Sequence, residues 1–526
     1  MPPSVARPGQ WPILEDPRRM RRNLQDRMAG WVVSAGGLAT ILSVLAILVF
    51  IAIEVAPLWS PPAAREHAAA RLPDGTDAVA ASVDEYREML QVIDTAGTVH
   101  FIRLTDGIEQ AQFPFPTLGD EPIRAIAKPD GRHFVIATDS RIVAARVDVT
   151  QTHGASGREL SPRVTPVGTW TLPDHITAPT LVGASLPDGG SFTAIVVDAA
   201  NDAWLIAMRE TVGFLGDVER SETVQQLQHD RAPITAVHVD ARGTQAFLGT
   251  ATGRIERWDL RAIAKPKQTD DVAAAFAENA GITALAPLIG NQSLVVGDAS
   301  GGVGVWFSVR DKDGVAHLRR VHEFEPHQAP IRALATSPRH RGFLSGDAAG
   351  EIRLHHATTT QTLLSLRRED AVRTLVFAPK ADGILALGDV LAISHWSVDN
   401  PHPEVSFKAL FGKIWYEGYE EPAYVWQSTG GTDAFEPKLG LVPLILGTMK
   451  GTLYALLFAV PLAVLAALYT SQFSHPRVRA LVKPVVETMA ALPSVVLGFL
   501  AGLWLAPLLE TMVPAIFAAL FVVPAL

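Results

Sequence analysis

Few side chains in this sequence stand where chemistry would need them. Lys450 is a lone cation inside an otherwise apolar run, and Pro493 and Ser494 interrupt another. A fixed cation in a low-dielectric path suits an anionic solute, whereas a lysine near a helix end can also snorkel to the surface. A proline inside a crossing frees a carbonyl that a neighbour must satisfy. Pro493-Ser494 therefore offers either a polar backbone and hydroxyl to a translocation path or a simple kink. Gly447-x-x-x-Gly451 and Gly498-x-x-x-Gly502 give two helices small-residue faces for close packing.

Other chemistries are missing from these 526 residues. There is no Cys, hence no disulfide, thiol nucleophile or Cys-ligated metal. No G-x-x-x-x-G-K-[ST], H-E-x-x-H or G-x-S-x-G motif occurs. The adjacent pair His355-His356 would point to opposite faces of a strand, so it does not chelate one ion, and no metal site is expected.

The elements that position Lys450 are apolar. Residues 28–54 carry no charge before Glu54, enough to cross a bilayer as a first transmembrane helix. Residues 1–27 form a basic N-terminus with Arg18, Arg19, Arg21, Arg22 and Arg27, which keeps that end in the cytoplasm. Further crossings are expected at about 441–469, 485–509 and 511–526, with Arg477, Arg479 and Lys483 in a cytoplasmic loop. The last run is short for a crossing, so a longer parent protein is expected.

Between these ends the charge changes sign. Residues 1–30 hold six Arg against three acids, and residues 438–526 hold five Lys or Arg against two acids. That leaves 34 of the 45 basic and 49 of the 54 acidic residues in the middle, a net of −15. An acidic middle excludes nucleic acid as the default partner. Residues 60–405 consist of short β-branched runs with an internal repeat. Copies begin at Ile123, Ile234, Ile282, Ile331 and Val372, with weaker ones at 97–102 and 202–207. Gly253, Gly301 and Gly350 recur, each followed five positions on by Trp258, Trp306 or His355. A four-stranded unit cannot bury both faces alone, so the expected fold is an all-β propeller of about seven blades, plus all-α transmembrane helices. It resembles WD40-like or YVTN-like propellers. Residues 406–438 form an aromatic linker whose Trp415, Tyr416, Tyr419, Tyr424 and Trp426 read as a collar at the membrane surface.

The stretch 439–526 resembles the start of a phosphate ABC transporter permease of the PstC type, a type-1, MetI-like permease. The resemblance rests on GLVPLILGT (440–448), AVPLAVLAALYTS (459–471), PRVR (476–479) and KPVVETMAALPSVVLGF (483–499). It implies a permease subunit of a bacterial inner-membrane importer, with the propeller inserted as a periplasmic domain. It further implies a second homologous permease subunit, ATP-hydrolysing subunits that bind ATP and Mg, and a periplasmic phosphate-binding protein. On that reading the chain is not an enzyme and holds no cofactor of its own. The EAA-type loop by which such permeases engage their ATPase does not occur in these residues. The rival expectation is a membrane-anchored propeller that binds proteins or signals.

Reporter fusions at Thr150 and His475 are expected to report opposite compartments. The same compartment for both would overturn this topology.

Overall fold

The computed structural model describes residues 17–67, 70–154, 157–187, 190–212, 218–432, 434–492 and 494–525. It divides into two compact units, Met1–Leu441 and Val442–Leu526.

In the first unit, helix α1 (Pro17–Val55) leads through a short turn to a strand, Ala63–Glu66. Seven antiparallel sheets follow as the blades of a propeller, six of four strands and the seventh of five, in which the short strand Ala70–Arg71 also pairs with Ala392 and Ile393. Blade 1 spans Ala78 to Pro114, blade 2 Ala125 to Thr171 and blade 3 Leu181 to Leu227. Blades 4, 5 and 6 run from Ile234 to Ala273, Ile282 to Glu323 and Ile331 to Arg367. Blade 7 has only three consecutive strands, Val372–Phe377, Gly383–Gly388 and Ala392–Asp399. Its outer strand is Ala63–Glu66, in the register Ala63↔Asp399 to Glu66↔Trp396. The ring is thus closed by a strand from before its first blade.

The repeat is explained by how the blades touch. Gly253, Gly301 and Gly350 have φ of 77°, 87° and 85° in the turn before each third strand. A Cβ at Gly301 would lie 2.3 Å from the His327 carbonyl oxygen, and one at Gly350 2.5 Å from that of Arg368. Only glycine meets both demands. Trp258, Trp306 and His355 are all buried on third strands. Core clusters bridge neighbouring blades: Ile93, Phe101, Phe134 and Val143 join blades 1 and 2, and Ile352, Val372 and Trp396 join blades 6 and 7. Turn carboxylates brace the same corners. Asp94, Asp198, Asp298 and Asp347 each accept a backbone N–H four residues on, at 2.7–3.0 Å.

The linker is folded onto blades 5 and 6. Its Glu417 meets the Arg341 guanidinium at 2.6 Å, with side-chain exposures of 10% and 7%, and also accepts from the Ser293 hydroxyl. Burial pushes the Glu417 carboxyl up, against the pull of Arg341 and Ser293. Glu436 accepts from Thr358 and from the Glu417 backbone N–H. Lys438 places its ammonium 4.7 Å from the Phe435 ring, with Tyr416 and Tyr419 just under 6 Å away. Tyr416 is buried, and Trp415 packs on the core of blades 5 and 6. These two rings are therefore no collar: a strap that must cover a polar propeller face buries them there. Tyr424 and Trp426 stay exposed.

In the second unit, α3 (Val442–Leu468) continues through a π-type turn at Tyr469–Phe473, and α4 spans Pro476–Ala491. Leu492 is extended (φ −74°, ψ 137°), as a residue before proline is biased to be. The chain is then helical as α5 (Ser494–Leu500), a π-type turn at Ala501–Leu505 and α6 (Ala506–Ala525). The helical limits differ from the expected crossings at 485–509 and 511–526. The break falls at Leu492, and helix runs through Glu510, a good helix former without power to stop one. Among the described residues three helices are long and apolar enough to cross a membrane: Asp26–Leu58, Val442–Phe473 and Val496–Ala519. The label α2 denotes the short linker helix Phe407–Phe411.

Two outcomes follow. Arg341→Met leaves the Glu417 carboxylate buried without its cation, a loss of about 3–5 kcal/mol for strap docking. Protease cleavage within 406–438 of the full chain should rise, and Arg341→Met with Glu417→Leu should recover part of the protection. Acid is the second lever. Burial lowers His322 to about 4 and His356 to about 3, and holds His355 well below its ordinary value. The unfolded chain takes up these protons first, so stability is present above about pH 6.5 and falls as pH drops. The slope is at most ~1.4 kcal/mol per pH unit for each group. Urea midpoints read by tryptophan fluorescence should decline from pH 7 to 5 and flatten in His356→Gln; an unchanged profile would contradict this.

Candidate functional site

The expected path residues belong to the second unit. Lys450 is the ninth residue of α3, about 12 Å along a helix about 40 Å long. Its ammonium lies 5.7 Å from the Tyr454 ring, one turn further along the same helix. That spacing is within cation–π reach and leaves the charge directed along the exposed helix surface. Pro461 lies within α3. Ser494 opens α5 and is exposed; Pro493 lies outside the described residues. A Cβ built at Gly447, Gly451, Gly498 or Gly502 meets nothing within 4 Å. The glycine faces are thus uncovered among the described residues, and Lys450 and Ser494 are not brought to one another's side chains by any described contact. Lys483 and Glu487 sit 4.0 Å apart in α4 as an exposed pair, worth little.

The propeller holds polar groupings that the sequence reading missed. His327 Nε2 lies 2.7 Å from the Ser345 hydroxyl, which lies 2.8 Å from His355 Nε2. His327 Nδ1 is 3.2 Å from Asp347, and His355 Nδ1 is 3.1 Å from the Thr362 hydroxyl. His356 turns elsewhere, to Thr359. His327, Asp347 and Glu351 present ligand-type atoms within 4.8 Å of one another. Their oxygens already serve the blade: Asp347 Oδ1 accepts from the Ala349 and Glu351 amides, and Glu351 pairs with Arg353 at 2.7 Å. The chemistry of this set is that of a turn brace. Sequence spacing could not reveal it, because His327 comes from the connection between blades.

A cavity of about 340 Å³ lies between blades 4 and 5. Arg257, Ser308 and Gln245 line it, and the strap residues Glu417 to Glu420 form one wall. Arg257 is already committed to Asp270 and Ser308, at 2.5 and 2.7 Å. The one buried guanidinium of the groove is therefore not free for an anionic solute, and Arg242 and Arg310, which also line it, are exposed.

No family model matches the chain. The chain is similar to the Myceliophteria thermophila Cps50 (Swd1) beta-propeller domain, with TM-score 0.45, 13% identity, and coverage of 64% of this chain and 100% of that one. It is similar as well to the computationally designed Ika8 protein, with TM-score 0.41, 18% identity, and coverage of 62% and 98%. The blade count stands on the strand pairing and not on these likenesses. Over 72 residues, 14% of its length, the chain is 32% identical to the probable ABC transporter permease protein YqgH of Bacillus subtilis (strain 168). The match spans 23% of that protein, so this chain shares a short segment with an ABC transporter permease.

Proposed function

We propose that this chain is part of the permease subunit of an ATP-binding-cassette importer, moving inorganic phosphate inward across a bacterial inner membrane. The observation that carries the reading is the permease-like pattern from Gly440 to Phe499, supported by the 72-residue likeness to a probable ABC transporter permease. A mere anchor needs apolar length alone; it needs no Gly-Thr, Val-Pro-Leu and Leu-Pro-Ser at those spacings. The partners are a second permease subunit, ATPase subunits that bind ATP and Mg, and a periplasmic phosphate-binding protein. The chain does no covalent chemistry. Its helices line a path that opens alternately to each side, and the propeller stands in the periplasm. Lys450 faces the phosphate, since a multiply charged anion leaving water needs an opposing charge. The seven-bladed domain also favours a second reading, a tethered protein-binding or signalling module.

The test is uptake of labelled phosphate by cells that lack other phosphate importers and produce the full-length protein with its partners. Uptake above the empty strain supports the reading, and its absence with all subunits present in the membrane overturns it in favour of the tethered module. Excess phosphonate or sulfate distinguishes the oxyanion. At matched expression, Lys450→Gln should lower uptake roughly tenfold, equivalent to ~1.4 kcal/mol. Lys450→Arg should be tolerated and Lys450→Glu should abolish transport. Normal uptake by Lys450→Gln would remove this residue from the path and leave the permease reading in place.

A further inference from the structure

The strap that links propeller and α3 is chemically divided along its length. Residues 414–423 form a hairpin held by the Ile414↔Ala423 bridge. Its tip is acidic: Glu417 is buried against Arg341, and Glu420 lines the groove between blades 4 and 5 with Glu421 exposed beside it. Its base is aromatic. Tyr424 and Trp426 are 43% and 41% exposed, and Lys413 lies over the Tyr424 ring at 5.7 Å. The short helix α2 adds Phe407 and Phe411, 71% and 40% exposed, with ring centroids 4.9 Å apart.

Backbone bonds tie this base to the root of the apolar helix. The Leu441 N–H donates to the Leu410 carbonyl at 2.7 Å, and the Gly440 N–H to that of Val425 at 2.9 Å. Trp426 pairs with Leu439 across a two-residue ladder. Val442, where α3 begins, is the next residue after Leu441. Four exposed rings are therefore fastened within a few residues of the point where the chain turns into an apolar helix. Aromatic side chains at that depth match the headgroup boundary, where an apolar body and a polar edge are both accommodated. A soluble protein partner would not require them to cluster at the helix root.

We propose that Phe407, Phe411, Tyr424 and Trp426, with Lys413, form a lipid-seated foot in the headgroup region of the leaflet from which α3 emerges. The acidic tip of the same strap grips the propeller through Arg341, so foot and grip belong to one folded strap. The foot does not depend on the transport reading, since it requires only that α3 crosses a bilayer.

The chain has no cysteine, so single-cysteine variants can be spin-labelled without a background. Phe411→Cys and Trp426→Cys of the full chain would be reconstituted in vesicles of phosphatidylethanolamine with phosphatidylglycerol. Ala349→Cys, exposed in the blade 6 turn at the end opposite the strap, serves as control. Oxygen should reach the labels at 411 and 426 several-fold better than a water-soluble nickel chelate, with the order reversed at 349. Preference for nickel at either position would overturn the foot. Low access by both reagents would overturn it too, because a protein then covers the patch. Should a labelled variant misfold, quenching by brominated lipid in the unlabelled chain keeps the test open. Quenching should fall in Trp426→Phe, and equal quenching of the two proteins would count against the proposal.

Discussion

The pairing of Ala63–Glu66 with Ala392–Asp399 is the constraint on which the first unit depends. A ring of blades buries its sheet faces only if the last blade meets the first. Here the last blade lacks a strand of its own, because Asn400-Pro401-His402-Pro403 follows the third and proline cannot donate to a ladder. The strand that fills the gap arrives directly from α1. One set of antiparallel hydrogen bonds therefore closes the ring and brings together the points where the chain enters and leaves it. Ala63 and Asp399 are direct partners, so a domain of more than three hundred residues occupies little more separation between its ends than one strand pair.

That geometry explains how so large a domain can stand between two apolar helices. The propeller's internal packing is complete around the ring, from the shared core of blades 1 and 2 to that of blades 6 and 7. Its ends emerge side by side, and the strap then uses a buried ion pair, Arg341 with Glu417, to hold one face. A buried pair adds little net stability, but it is strict about geometry, because either charge left alone is costly. The strap thus specifies a register more than it contributes binding energy. Lys438, enclosed by Phe435, Tyr416 and Tyr419, extends this fixed region to within four residues of α3.

The parts of this architecture that were legible in the sequence are those whose local physics repeats. Gly253, Gly301 and Gly350 announce themselves because each blade corner needs a positive φ and no side chain. The third-strand aromatics follow at a fixed offset because each fills the same gap between blades. The closing strand was invisible: Ala-Ala-Arg-Glu has neither β-branching nor alternation, and only its partner makes it a strand. The fourth strands gave little signal for a related reason, since outer strands such as Gln361–Arg367 alternate between half-buried and exposed positions. Trp415 and Tyr416 misled because aromatic residues near a membrane helix have two uses, and composition cannot tell a headgroup belt from a docked strap. The expected path residues rest on hydropathy, which marks a charge or a proline in an apolar run without showing what it faces.

The two charges within the apolar helices constrain what those helices can pack against. Helix α3 is apolar all round, and among the described residues none of its side chains is buried. Lys450 is the sole ionic residue of the span Val442–Phe473, and Glu510 that of Val496–Ala519. Neither is stable against hydrocarbon at full charge, so each must reach the interface, a counter-charge or a water-filled cavity. Among the described residues Lys450 lies near the Tyr454 ring of its own helix, and the small-residue faces at Gly447/Gly451 and Gly498/Gly502 are uncovered. Close packing through such faces is the usual way for apolar helices to associate where water supplies no driving force. The same contacts that would cover the glycines would also enclose the charges in protein. A helix bundle assembled on these faces therefore resolves both problems together, whereas a solitary anchor leaves the glycine faces open and relies on snorkelling for its lysine.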